Sequence, residues 1–430
     1  MEPESGNRSF LSNPWIQLAV GVVAMACVAN LQYGWTLFVS PIDAKYGWGR
    51  AEIQVAFTLF VLIETWLIPV ETYFVDNYGP RWVVVVGAVL VAVAWVLNSM
   101  ASSLLMLYIG AALGGIGTGC VYGTCVGNAL KWFPGRRGLA AGITAAGFGA
   151  GAAVTIVPIS NMIRTEGYEQ AFLFFGIVQG VIVLAMAGLM RRAPAQLSAG
   201  AKAKASLSAR DYSPSEVLRS PVFWVLYVMF VLIAAGGLTF AASIAPYAKD
   251  MKLDVIPVTL LGVVLPALTF AISLNRICDG VGRPFFGWVS DQIGRENTMF
   301  IAFGAGALAL FVWSRFGVNP VVFVLASALY FGVYGEIFSL FPATQGDTFG
   351  SKFAATNAGM LYTAKGTAAL GVPFASALAV SQGWTTVFTL AITFNVIAAL
   401  LAMFVLKPMR ARHLAASRQP VFEGQRTTVA

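Results

Sequence analysis

The chain has 430 residues, 58% of them hydrophobic and 11% charged, with a mean hydropathy of +0.76. Soluble domains carry about 25% charged residues, so a soluble fold of this length has too little interior to hide the apolar surface, and the bilayer must act as solvent. The net charge of +8 does not point to nucleic acid, because the basic residues gather in short loops between apolar runs.

The chain opens on "MEPESGNRSFLSN", which is polar and mildly acidic, and the apolar run that follows is too long for a cleavable signal. A helix needs about 20 apolar residues to cross a bilayer. Twelve runs meet that need: 15–40, 52–75, 82–101, 104–130, 138–163, 169–190, 221–247, 257–290, 297–314, 319–345, 353–379 and 384–406. The expected fold is an all-α integral membrane protein of twelve transmembrane helices. It divides into a tail at 1–14, a six-helix bundle at 15–191, a linker at 192–219, a second bundle at 220–407 and a tail at 408–430. The linker is rich in Ala, Ser and Lys and reads as flexible. It ends in Ser213-Pro214-Ser215-Glu216, a capping box with proline at the first helical position, which predicts a short surface helix before the seventh span.

Loop charge sets orientation. The termini and even-numbered loops hold 18 Lys and Arg residues, from Arg8 and Arg81 through Lys202 and Lys204 to Arg426, against 6 in the odd loops. That bias puts both termini in the cytoplasm of a multi-pass protein of the cell (inner) membrane. The two halves also echo each other. "VDNYGPR" closes the second span as "SDQIGRE" closes the eighth, and "WFPGRRG" follows the fourth as "LFPATQG" closes the tenth. Two such pairs at matching places imply a parallel repeat with its axis along the membrane normal.

Charged residues inside the spans are costly and therefore functional by default. They are Glu64 and Glu71 in the second span, Arg276, Asp279 and Arg283 in the eighth, Glu336 in the tenth and Lys365 in the eleventh. At 1.5 Å per residue, Arg283, Glu336 and Lys365 lie about 12, 16 and 20 Å inside their nearest loops, within one central layer. Asp279 and Arg283 share a helical face, with Arg276 on the same stripe. Arg276, Glu71 and Glu64 suit a structural salt-bridge network. Arg283 and Lys365, two cations on separate helices, call for an anion between them, and in a carrier that anion is the substrate.

Other chemistry is thinly supplied. The one histidine, His413, lies in the polar tail, which argues against histidine catalysis and His-ligated metal. Cys27, Cys120, Cys125 and Cys278 fall in apolar runs without metal-ligand spacing. "GGIGTG" in the fourth span lacks the preceding strand and the Lys-Ser/Thr ending of a phosphate loop. Gly110, Gly114, Gly115, Gly119 and Gly123 have small-xxx-small spacing instead, as do the pairs Gly138/Gly142 and Gly147/Gly151. A membrane enzyme would need a nucleophile–base pair or a metal cluster, and a sensor on a transporter scaffold would usually add a cytoplasmic domain.

"GWVSDQIGR", with Gly287, Asp291, Gly294 and Arg295, resembles the loop signature of the major facilitator superfamily. The first-half copy, with Asp76 and Arg81, is weaker, since Thr72 stands where glycine is usual and Pro80 interrupts the Gly-Arg pair. The resemblance implies that these residues form a conformational latch. "QYGWTLF", "WFPGRRGLAAG", "SEVLRSPVFWVLY", "GRPFFGWVSDQIGR", "LFPATQGDTFG" and "YTAKGTAALG" further resemble the oxalate:formate antiporter branch. That likeness implies alternating-access antiport of small carboxylates, with Arg283 and Lys365 holding the carboxylates. It surrounds the anion with Gln32, Tyr33, Trp35, Tyr122, Tyr334 and Tyr362, and Phe148 and Phe338 also stand at its aromatic positions. Asp279-x-x-x-Arg283 also resembles proton-coupled monocarboxylate transporters. That likeness keeps a proton symporter as the alternative, with Asp279 and Glu336 as candidate proton carriers. No cofactor and no metal are expected. The expected partners are a small organic anion and the lipid bilayer, with no nucleic acid and a monomeric working unit.

Overall fold

A computed structural model describes residues 10–194, 207–260 and 262–418. Arg8, Lys202, Lys204, Arg426 and the middle of the linker lie outside the described residues.

The chain crosses back and forth in twelve helical spans. The first is built from three consecutive pieces, Pro14–Val28, Asn30–Tyr33 and Thr36–Tyr46. The second to sixth are Arg50–Tyr78, Pro80–Ser99, Leu104–Trp132, Arg137–Glu166 and Tyr168–Leu189. The seventh to ninth are Pro221–Asp250, Ala267–Ile293 and Arg295–Phe316. The tenth is Pro320–Tyr334 with Ile337–Phe349, and the eleventh Ala354–Ala369 with Val372–Gln382. The twelfth, Trp384–Leu400, runs on through a wider turn into the helix Lys407–Ala416.

The repeat is visible in the turns. Gly79 joins the second and third spans at φ +95°, and Gly294 joins the eighth and ninth at φ +93°. Gly167 and Gly383 do the same for the sixth and twelfth spans, at +95° and +83°. A side chain at these φ values would be strained, so each link is a single glycine. Packing repeats as well. The second span lies on the fourth as the eighth lies on the tenth, and the third on the sixth as the ninth on the twelfth. The two bundles meet where the fifth span packs on the eighth and the second on the eleventh, one contact related to the other by the internal two-fold.

Among the described residues, nine segments are by themselves long and apolar enough to cross a membrane; the fifth, eighth and eleventh spans are not among them. These three face the joint between the bundles. There, small and charged side chains replace the lipid-facing valines and leucines that cover the third, sixth and ninth spans, such as Val89, Val181 and Leu308.

One expectation is corrected. The eighth span begins at Ala267, ten residues later than its hydropathy suggests. Pro257–Leu260 and Val263–Pro266 form an antiparallel hairpin that turns through Gly262 at φ +79°. Its Val and Leu content reads as membrane helix by hydropathy, but Pro266 lacks the amide a helix would need and the β-branched residues favour strand. The capping box does start a helix, Pro214–Leu218, in which the Glu216 carboxylate accepts from the Ser213 amide at 2.8 Å. That bond holds the Glu216 carboxyl below the usual carboxylate range.

Candidate functional site

Two charged layers lie between the bundles. The first is central. Arg283 is 2% exposed and donates from Nη2 to Asp279 Oδ2 at 2.7 Å, one helical turn back. Its Nη1 reaches across the joint to the Ala145 carbonyl at 2.9 Å, and its guanidinium lies 4.5 Å from the Phe338 ring centre. Gly335 makes this possible. A β-carbon there would collide with the Asp279 side chain, so the tenth span can press against the eighth only without one. Lys365, 3% exposed, points from the eleventh span to Glu64 Oε2 at 3.5 Å on the second, and donates to Tyr362 Oη at 3.1 Å.

Six aromatic rings link the two cations. Tyr33 meets Phe148 at 5.4 Å, Phe148 meets Tyr122 at 5.3 Å and Tyr122 meets Tyr362 at 4.7 Å. Tyr362 then meets Phe338 at 6.2 Å, and Phe338 meets Tyr334 at 5.9 Å. Three rings come from each bundle. Gly237 leaves room for the Tyr334 ring, which fills the place of its missing side chain.

The remaining central candidates divide. Gln32 is half-buried, and its Oε1 has no hydrogen-bond partner among the described residues. Trp35 is a correction: its indole donates to Gln54 at 3.3 Å, and it lines a small cavity inside the first bundle with Phe38, Trp95 and Phe172, apart from the six rings. Glu336 is fully buried, but among the described residues neither carboxylate oxygen has a hydrogen-bond partner and it forms no ion pair with Lys365 or Arg283. The acid facing Lys365 is Glu64, which the residue pattern assigned to structure. Arg276 forms no salt bridge among the described residues. It is exposed and stacks on Tyr33 of the other bundle at 5.1 Å.

The second layer lies on the side that carries the termini. Asp291 accepts from the amides of Gly138 at 3.1 Å and Leu139 at 2.9 Å, in the first turn of the fifth span, and pairs with Arg295 at 2.6 Å. Asp76 does the same for the eleventh span, accepting from the Thr356 amide at 2.8 Å and its hydroxyl at 2.7 Å. A carboxylate against the first turn of a helix meets unsatisfied amides and the positive end of the dipole. Gly287 lies so close to Gly138 that neither tolerates a β-carbon. Arg81 is a second correction: it donates to the Gly188 carbonyl at 2.6 Å, away from Asp76, and the cation beside Asp76 is Lys131, at 2.5 Å. Pro80 separates Arg81 from the turn and starts a new helix, which carries the guanidinium away.

Asp347 was missed. It is 4% exposed and accepts from Arg137 at 2.9 Å and Arg295 at 2.8 Å, with Arg410 at 4.0 Å. "LFPATQGDTFG" held the signal, since its Asp matches no charge in the first-half copy.

Two six-helix bundles joined about an internal two-fold, with charges buried along the joint and charged caps on one face, define a membrane carrier. Residues 20–368 match the family model of the Major Facilitator Superfamily, and the chain belongs to that family of transporters, not to a family of enzymes. It is 35% identical over 410 residues to the oxalate:formate antiporter of Oxalobacter formigenes, covering 95% of each chain. It is 29% identical over 227 residues to monocarboxylate transporter 11 of Mus musculus, covering 52% of this chain and 47% of that one. A solved proton:xylose symporter shares the fold at a TM-score of 0.72 and 11% identity, covering 91% of this chain and 96% of the other.

Proposed function

We propose that this protein carries small carboxylate anions across the inner membrane by alternating access, exchanging one for another as its oxalate:formate relative does. The observation that carries the reading is the pair Arg283 and Lys365, buried on separate helices at the joint and linked by six aromatic rings. Arg supplies a planar fork for one carboxylate and Lys a point charge for another, while the rings hold a flat anion and exclude water. With both termini in the cytoplasm, the Asp76 and Asp291 layer is the cytoplasmic latch. The exposure of Arg276, on the stripe above Arg283, supports access from the opposite side.

A second reading, proton-linked symport of monocarboxylates, is favoured by the acid that already stands beside each cation, Asp279 with Arg283 and Glu64 with Lys365. Counterflow of oxalate, formate, lactate and pyruvate in proteoliposomes, with and without an imposed pH gradient, tests both. Lack of flux for every acid would overturn the substrate class, and uptake that ignores the gradient would leave exchange as the mode.

A further inference from the structure

Glu64 stands opposite Lys365 across the two bundles, and the anion site described above does not use it. Its side chain is fully buried, and Oε1 has no hydrogen-bond partner among the described residues. Its one ion pair among the described residues is with Lys365, at 3.5 Å.

We propose that Glu64 is the resident counter-ion of Lys365, which lets the empty carrier change conformation, so that this protein supports net flux of carboxylates as well as exchange. The inference rests on the reading that Arg283 and Lys365 hold the anion.

Charge balance carries it. A bare cation buried between bundles opposes any movement through a closed, dehydrated state, because its desolvation is uncompensated. A carrier with such a site waits for an anion before it can turn, and is then an obligate exchanger. Here Asp279 balances Arg283 at 2.7 Å and Glu64 balances Lys365, so neither buried cation of the anion site is bare when the carrier is empty, while Arg276 is exposed. The balance does not depend on where the proton of the Glu64–Lys365 pair resides, since the pair is neutral either way. Glu71, further along the second span, and Glu336 form no ion pair with either cation among the described residues. The pair spans the joint, with Glu64 on the second span and Lys365 on the eleventh, so it is intact in the state where the two bundles are in contact. An arriving carboxylate takes over Lys365, and Glu64, as it is released, accepts a proton, so the loaded joint strands no charge either. Glu64 is therefore a positioning residue: it acts through Lys365 and does not touch the anion.

The test is made in proteoliposomes loaded with whichever of radiolabelled oxalate, formate, lactate or pyruvate the wild type carries. Efflux into anion-free buffer reads net flux, and efflux into buffer containing the unlabelled acid reads exchange. The wild type should show both. In Glu64→Gln the ratio of net flux to exchange should fall at least about tenfold, since the empty carrier now bears an unpaired cation, and Glu64→Asp should recover it. A wild type that only exchanges overturns the proposal without any variant. A Glu64→Gln protein with an unchanged ratio, or one that inserts and binds but no longer exchanges, also overturns it. Failure of the underlying anion site is a separate result, read as persistent exchange in Lys365→Gln.

Discussion

Asp76 and Asp291 stand at equivalent points of the two bundles, and each carboxylate caps the first turn of a helix in the other bundle. Asp291 takes the amides of Gly138 and Leu139 on the fifth span, and Asp76 takes the amide and hydroxyl of Thr356 on the eleventh. The internal two-fold turns one contact into the other. Each is a bond between bundles, away from the central site, and on the proposed alternating-access reading each breaks when this face opens.

Asp291→Asn keeps the shape of the cap and removes its charge. A charge at a helix N-terminus contributes about 0.3–2 kcal/mol, so the equilibrium should move about 2- to 30-fold toward the state open on this face. Labelling of single cysteines in each vestibule measures the shift. Turnover should fall while anion affinity holds. Unchanged labelling with unchanged turnover would remove the latch role.

Arg283→Gln and Lys365→Gln should each leave a protein that inserts and does not transport. A hydrogen bond to a charged group contributes about 1.5–3 kcal/mol, which makes binding about 10- to 100-fold weaker per residue lost. Arg283→Lys should fail too, because one ammonium cannot hold Asp279 and the Ala145 carbonyl in the geometry of the fork. Equilibrium binding and flux in proteoliposomes check both, and normal flux in the two Gln variants would reject the site.

Asp347→Asn should destabilise the protein strongly. The carboxylate is buried between Arg137 and Arg295, with Arg410 close by. Removing one partner of a buried ion pair costs about 3–5 kcal/mol, because the remaining charges are stranded. A lower Tm in detergent is the expected readout, and a wild-type Tm would show that water or neighbouring groups replace the acid.

Gly142→Ala should wedge the bundles apart on the side of the termini. A β-carbon at Gly142 would overlap the backbone carbonyl of Arg283, which cannot swing aside as a side chain can. Cysteine accessibility on that face should rise. Gly188→Ala is the control, since nothing lies within 4 Å of its added carbon, and equal labelling in both variants would show that the close contact is not what holds this face shut.

Composition determined that this chain lives in a bilayer, because so few charges over so many residues leave no other solvent. The turns determined the repeat, since a glycine forced to positive φ leaves the same mark in each half. The central cations were legible for a related reason: Arg283 and Lys365 stand in apolar runs, where an unexplained charge is too costly to be incidental. Partners were not legible. Glu64 finds Lys365, and Asp347 finds three arginines, across distances in sequence that carry no periodicity, so only the packing of the second span on the eleventh, and of the tenth on the fifth, the ninth and the helix Lys407–Ala416, decides them. The same holds for Trp35 and Arg81, whose residue types fitted the expected roles but whose helices turn them elsewhere. The hairpin at 257–266 was hidden for a different reason. Hydropathy measures how a segment partitions, not whether its backbone closes its hydrogen bonds along the chain or across to a neighbouring strand.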